Sequence, residues 1–175
     1  GLNKGWSVAK RLLQFERNMI AGMGFVSAAS GSSKKSDAKP TSGLATMAKR
    51  YVGEAEDKLN DSGLRNKIID HDMNSQAFAL TLKRAAEESK KSNQGPSAAS
   101  SIFKYYGTEH NKLRYEIMLE AMGTKALGWD GVEFGPEELA ITREWLRTKA
   151  NSIEGGTSEV QLNVISKRVL ELPSG

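Results

Sequence analysis

Residues 64–92 read LRNKIIDHDMNSQAFALTLKRAAEESKKS, then come Asn93-Gln94-Gly95-Pro96-Ser97, and residues 98–122 read AASSIFKYYGTEHNKLRYEIMLEAM. The first block places Ile68 or Ile69, Met73, Phe78, Leu80, Leu82 and Ala85 in a drifting stripe. The second places Ile102, Tyr105, Tyr106, Leu113, Ile117, Met118 and Ala121 at similar intervals. Apolar positions three and four apart line one side of a helix, so both blocks are predicted helices. The Gly95-Pro96 pair ends the first one cleanly. Long helices joined by so short a loop pack antiparallel. Gly107 is the weak point of the second.

Toward the N-terminus, a helix is predicted from Trp6 to about Ala29, with Ala9, Leu12, Leu13, Ile20 and Met23 on one face. Residues 30–43 are Ser, Gly, Lys, Asp, Ala, Pro and Thr only, can bury little apolar surface, and read as a mobile loop inside the domain. Leu44 to about Asp57 forms the next helix, with Leu44, Met47, Ala48, Tyr51 and Val52 on its face. Asp61 or Ser62 caps the long helix after it. Beyond Met122 lies a glycine-rich stretch, 123–135, holding Trp129. Pro136 then opens a helix carrying Leu139, Ile141, Trp145, Leu146 and Ala150. The chain restarts at Gly155-Gly156 into a last helix with Leu162, Ile165, Val169 and Leu172, stopped by Pro173. No repeat and no strand pattern stand out. The expected fold class is all-α, an antiparallel four-helix bundle with additional shorter helices, forming one domain over residues 1–175.

Composition narrows the chemistry. With 175 residues, 38% hydrophobic, 26% charged and only 4 prolines, the chain suits a single helical domain. It has no cysteine, which excludes disulfides and thiol catalysis, and two histidines are too few for a multi-histidine cage, so no metal site is expected. The net charge of +4 is spread among acidic residues, unlike a nucleic-acid footprint. No run approaches the roughly 18 apolar residues that span a bilayer, so neither nucleic acid nor membrane is an expected partner. The opening Gly1-Leu2-Asn3, without Met or a signal pattern, reads as the start of a processed or excised piece.

Two places attract chemistry. Glu16 falls inside the apolar stripe of the first helix, where a carboxylate takes a cationic partner, such as Arg17, or becomes a tuned base. Gly155-Gly156-Thr157-Ser158-Glu159 lets backbone approach a ligand closely and opens a helix with free N–H groups, which suits an anion; it also reads as a plain capped helix start. His71 and His110 stand in polar helical contexts and read as surface or satisfied histidines. Gly-x-Ser-x-Gly elbows after a strand, phosphate loops and Gly-x-Gly-x-x-Gly motifs are absent.

Glu154-Gly155-Gly156-Thr157-Ser158-Glu159-Val160-Gln161, with Ile165, Lys167-Arg168-Val169-Leu170 and Leu172-Pro173, resembles the C-terminal end of acyl-CoA dehydrogenases. Asn3-Lys4-Gly5-Trp6, Val8-Ala9, Leu12-Leu13 and Phe15-Glu16-Arg17 resemble the start of that family's C-terminal helical domain. Ser100-Ser101-Ile102-Phe103-Lys104 and Gly107-Thr108-Glu109 fall between them in the family's order. The resemblance implies a domain of a larger enzyme whose N-terminal helical and middle β-domains are not in this chain. It implies FAD as cofactor, an acyl-CoA substrate, electron-transfer flavoprotein as acceptor, and a homo- or hetero-oligomer. The implied location is cytoplasmic in a bacterium, or the mitochondrial matrix in a eukaryote.

The implied reaction removes the α-proton of a thioester by a base while the β-hydrogen leaves as hydride to the flavin. In short- and medium-chain members the base is a Glu directly before Gly-Thr. Here Gly155 holds that slot and Glu154 falls one residue early, leaving Glu154 as the alternative. In isovaleryl- and long-chain types the base comes from a segment resembling Phe15-Glu16-Arg17, which makes Glu16 the candidate base and Arg17 a substrate-binding position. Gly156, Thr157 and Glu159 match flavin-contacting positions. The family's Gln-x-x-Gly-Gly-x-Gly segment corresponds to Glu120-Ala121-Met122-Gly123-Thr124-Lys125-Ala126, which implies an adenosine end held differently or weaker FAD binding. Alone, the chain is expected to lack dehydrogenase activity and to retain little FAD. The competing expectation is a non-catalytic assembly subunit or domain of a flavoenzyme complex.

Overall fold

The computed structural model describes residues 4–19, 43–92 and 99–173, with the side chains at 14–19, 89–92 and 99 outside that description. In chain order the elements are α1 (Gly5–Met19), α2 (Leu44–Val52), β1 (Glu54–Ala55), β2 (Lys58–Leu59), α3 (Ser62–Ser92) and α4 (Ala99–Met122). A 3-10 turn (Gly123–Leu127), α5 (Pro136–Asn151), α6 (Ser158–Val164) and a π-helical turn (Ile165–Val169) complete them. The architecture is all-α apart from the two-residue strands. The later half of the first predicted helix and all of the predicted 30–43 loop but Gly43 lie outside the described residues.

Helix α4 is the axis of the fold, packed by α2, α3, α5 and α6. It runs antiparallel to α3: the Lys67 ammonium meets Glu120 at 2.7 Å near one end of the pair, and Phe78 packs on Phe103 toward the other. Helix α5 runs antiparallel to α4 in turn, with Lys149 on Glu116 at 2.7 Å and the Thr142 hydroxyl donating to the Ala126 carbonyl at 3.1 Å. Leu44, Met47 and Ala48 of α2, Leu59, Leu64 and Ile68, Ile117, Met118, Ala121 and Met122 of α4, and Ile141 form the buried core. It sits at the C-terminal end of α4.

Two expectations change in detail. The predicted helix over 44–57 ends at Val52, because Gly53 adopts φ +79 and returns its N–H to the Lys49 carbonyl at 3.0 Å. A left-handed residue there closes the helix. The chain then turns into a hairpin pairing Glu54 with Leu59 and Ala55 with Lys58, so a small sheet exists where no strand was expected. Glu56 and Asp57 both have positive φ, the twist a two-residue hairpin loop needs. Gly107, by contrast, leaves α4 continuous.

The inward positions of α3 are Leu64, Ile68, His71, Ser75, Phe78, Leu82 and Ala85, spaced alternately four and three. Met73, Leu80 and Ile69 face outward. Two polar residues in an otherwise apolar seam explain why the apolar stripe drifts. Outside α3, Leu12 and Leu13 of α1, Leu113, Leu146, Leu162 and Leu172 are exposed rather than inward. Asp61 caps α3 by accepting from the Leu64 N–H at 2.9 Å, and Pro136 opens α5 as expected.

Candidate functional site

The Gly155-Gly156 turn joins α5 to α6 through backbone that only glycine adopts with ease: φ is +65 at Gly155 and +101 at Gly156. A Cβ on Gly156 would lie 2.7 Å from the Gln161 Nε2. Gln161 donates from that atom to the Gly155 carbonyl at 3.0 Å, so the turn and the helix after it fit tightly. The Thr157 hydroxyl accepts from the Val160 N–H at 3.3 Å, and the Ser158 N–H donates back to the Ser152 carbonyl at 3.1 Å. Glu159 is held below the usual carboxylate range by its own backbone N–H and by the Thr157 hydroxyl.

Helix α4 supplies the floor beneath this turn. Lys104 is 4% exposed, and its ammonium donates to the Gly156 carbonyl at 2.7 Å. Burial lowers its pKa, opposed by the carboxylates of Glu154 and Glu109, with Lys112 adding to the lowering. Glu109 accepts from the Ser158 hydroxyl at 3.0 Å and pairs with Lys112 at 2.7 Å. Gly156, Thr157 and Glu159 are thus brought together on one braced turn.

Glu154 takes a different direction. Its N–H still donates to the Ala150 carbonyl, as at the end of α5, and its exposed carboxylate lies 3.3 Å from the Arg147 guanidinium. It lies past the end of α5, directly before Gly155, with its carboxylate turned to Arg147. Positions 16 and 17 fall within α1, but the side chains of Glu16 and Arg17 lie outside the described residues. The described part of the stripe that singled out Glu16 is solvent-facing at Leu12 and Leu13. Glu120 is paired through both carboxylate oxygens with Lys67, at 2.7 and 2.8 Å, which sets a positive charge against it. Among the described residues no cluster of three or more His, Cys, Asp or Glu could hold a metal, and no helix is long and apolar enough to cross a membrane.

The residues least visible in the sequence are His71 and His110. They are not isolated: the rings stack with centroids 4.0 Å apart and planes 6° from parallel. The Ser75 hydroxyl lies 2.7 Å from His110 Nε2 and donates to the His71 carbonyl at 2.9 Å. His71 is 4% exposed, and its Nε2 has no hydrogen-bond partner among the described residues. The pair borders a cavity of about 230 Å³ that Ser75, Phe78, Gly107 and Arg114 also line. Burial lowers both imidazole pKa values, that of His110 to about 4. The available signal was positional: His71 and Ser75 occupy heptad positions of the inward α3 seam. Lys104 gave no such signal; its burial and its carbonyl partner emerge only when α4 meets the α5–α6 turn.

Comparison with known proteins agrees along nearly the whole chain. The family described as "Acyl-CoA dehydrogenase, C-terminal domain" matches residues 3–170. Acyl-CoA dehydrogenase IpdE1 of Mycolicibacterium smegmatis (strain ATCC 700084 / mc(2)155) is 28% identical over 172 residues, covering 97% of this chain and 37% of that protein. The chain therefore spans well under half the length of this curated relative.

Proposed function

The chain belongs to the acyl-CoA dehydrogenase family, matching its C-terminal domain, and from that membership we propose that it supplies the base and one wall of the flavin site in an FAD-dependent α,β-dehydrogenation of an acyl-CoA thioester. The observation that carries this reading is the braced double-glycine turn. It is bare of Cβ atoms at Gly155 and Gly156, presents the Thr157 hydroxyl, and holds Gly156 at a φ of +101 that strains any side chain. Those properties fit the close approach of a flat cofactor edge. Gly156, Thr157 and Glu159 would hold it. When bound, FAD supplies the hydride acceptor for the β-hydrogen.

The chain's own part is acid–base and positional. Glu16 takes the α-proton, with Arg17 beside it holding the substrate, and the nearby protein stabilises the developing enolate by hydrogen bonds. Glu154 is the less suited carboxylate, because it is exposed and engaged with Arg147. At the nucleotide end, the Lys67–Glu120 pair partly offsets the charge that would repel a pyrophosphate, and the altered glycine segment leaves the adenosine half to be held by other contacts or FAD to be bound more weakly. Electron-transfer flavoprotein is the proposed acceptor of the reduced flavin's electrons, and the proposed setting is the cytoplasm.

A second reading is favoured by one observation. Leu127, Trp129 and Val132 are all exposed on the connection between α4 and α5. Several exposed apolar residues on one connection suit a surface that another subunit covers, as in a domain whose main work is oligomer assembly. The two readings separate on gel filtration with absorbance read at flavin wavelengths. The complete polypeptide should carry flavin through the column, whereas this chain alone should elute without it. A complete polypeptide that never retains FAD would overturn the catalytic reading in favour of the assembly one.

A further inference from the structure

We propose that Lys104 is a positioning residue, whose buried ammonium fixes the Gly156 carbonyl and so sets the backbone on which the flavin-facing turn is built. This rests on the function proposed for that turn. A lysine is an expensive way to fill space in a bundle: its ammonium must leave water, and a methionine would pack the same volume without that cost. A lysine at 4% exposure calls for a partner, and that partner is a backbone carbonyl 52 residues away. Thr108, one turn further along α4 and also buried, spends its hydroxyl on the α4 carbonyls of Lys104 and Tyr105 and does not reach the turn. The long side chain of Lys104 spans from the α4 backbone to Gly156.

The geometry places the tethers on both sides of Thr157. Lys104 grips Gly156, and Glu109 grips Ser158 through its hydroxyl. The helical run after the turn, α6 and the π-helical turn that continues it to Val169, is short and carries little stability of its own. Gly155 and Gly156, with positive φ and no side chains, would otherwise leave the backbone free to sample other conformations. Pinning a carbonyl from a rigid neighbouring helix is a way to pre-organise such a segment.

The test is Lys104→Met, read in two ways. In this chain, amide hydrogen exchange should rise at least tenfold over residues 155–158 while exchange in α3 stays unchanged. The melting temperature should hold or rise, because a desolvated cation has been removed. In the flavin-loaded complete polypeptide, the variant should show an altered visible flavin spectrum and a kcat lower by about 100-fold, the scale of loss from slight misplacement of reacting groups. The KM for acyl-CoA should stay near wild type. Unchanged exchange at 155–158, or an unchanged spectrum and kcat in a polypeptide that does bind FAD, would overturn the role of Lys104 and leave the proposed function standing. Faster exchange in this chain beside a wild-type complete polypeptide that binds no FAD would support the tether and overturn the proposed function. If Lys104→Met loses its helical signal, Lys104→Gln, a neutral donor of shorter reach, gives the same reading on the turn. Unfolding of both variants would make Lys104 a stability residue and overturn the proposal.

Discussion

The imidazoles of His71 and His110 lie face to face across the α3–α4 seam, 4.0 Å between centroids, with the Ser75 hydroxyl 2.7 Å from His110 Nε2. Two rings so placed cannot both carry charge at low cost. Burial holds both neutral at pH 7; Arg114 adds to the lowering, and Asp72 opposes it.

The consequence is a defined acid sensitivity. The ordinary histidine pKa is 6.5 and that of folded His110 is about 4. As pH falls through this window, the unfolded chain binds a proton that the folded chain refuses, so stability drops; above about pH 6.5 it is flat with respect to this group. The full loss for His110 approaches about 3 kcal/mol, and His71 acts in the same direction. Urea unfolding of the wild type should show a midpoint that declines from pH 7 to about pH 4.5. His110→Phe, which keeps a ring in the stack, should flatten that decline by at least half. An equal decline in the variant would rule out the pair as its source.

Core packing predicts a contrast along one helix. Leu64 is 1% exposed, whereas Leu80 on the same helix is 68% exposed. Leu64→Ala should cost about 2–5 kcal/mol, and Leu80→Ala less than about 0.5 kcal/mol. Equilibrium denaturation of the two variants checks the assignment of the α3 face, and equal losses would refute it.

The turn itself should resist any side chain. Gly156 sits at φ +101, and an added Cβ meets Gln161 Nε2 at 2.7 Å. Gly156→Ala should therefore destabilise this chain by about 1–2 kcal/mol from backbone strain. In the complete polypeptide it should release FAD. Calorimetry on the chain and flavin retention on the complete protein check the two halves separately; a Gly156→Ala protein as stable and as yellow as wild type would contradict both.

Much of the fold was legible because α3, α4 and α5 are long and carry repeated apolar spacing. The Asp61 cap and the opening Pro136 marked two helix starts for the same local reasons. The hairpin after Val52 was not legible, since Glu54-Ala55-Glu56-Asp57-Lys58-Leu59 has helix-forming composition and only the left-handed Gly53 redirects it. The turn at Gly155-Gly156 was legible as glycines before a Thr cap, but that pattern also suits a plain helix start, and it was the family resemblance that set it apart. Its support was not legible: a lysine in a mixed sequence gives no sign of which carbonyl it will reach until α4 and the α5–α6 turn are brought together. His71 and His110 failed to declare themselves for a related reason. They lie on two helices, and their partnership is made by antiparallel packing, 39 positions apart in the chain.

The proposed reaction turns on Glu16, and not Glu154, taking the α-proton of an acyl-CoA. Exchange of that proton can be followed directly, with a saturated acyl-CoA in D2O, for the complete flavin-loaded polypeptide and its two variants. Glu16→Gln should lower exchange by about 10²–10⁴-fold, while Glu154→Gln, which removes an exposed pair with Arg147 and one of the charges acting on Lys104, should leave it within a few-fold of wild type. Near-normal exchange in Glu16→Gln, or a comparable loss in Glu154→Gln, would contradict the assignment of the base.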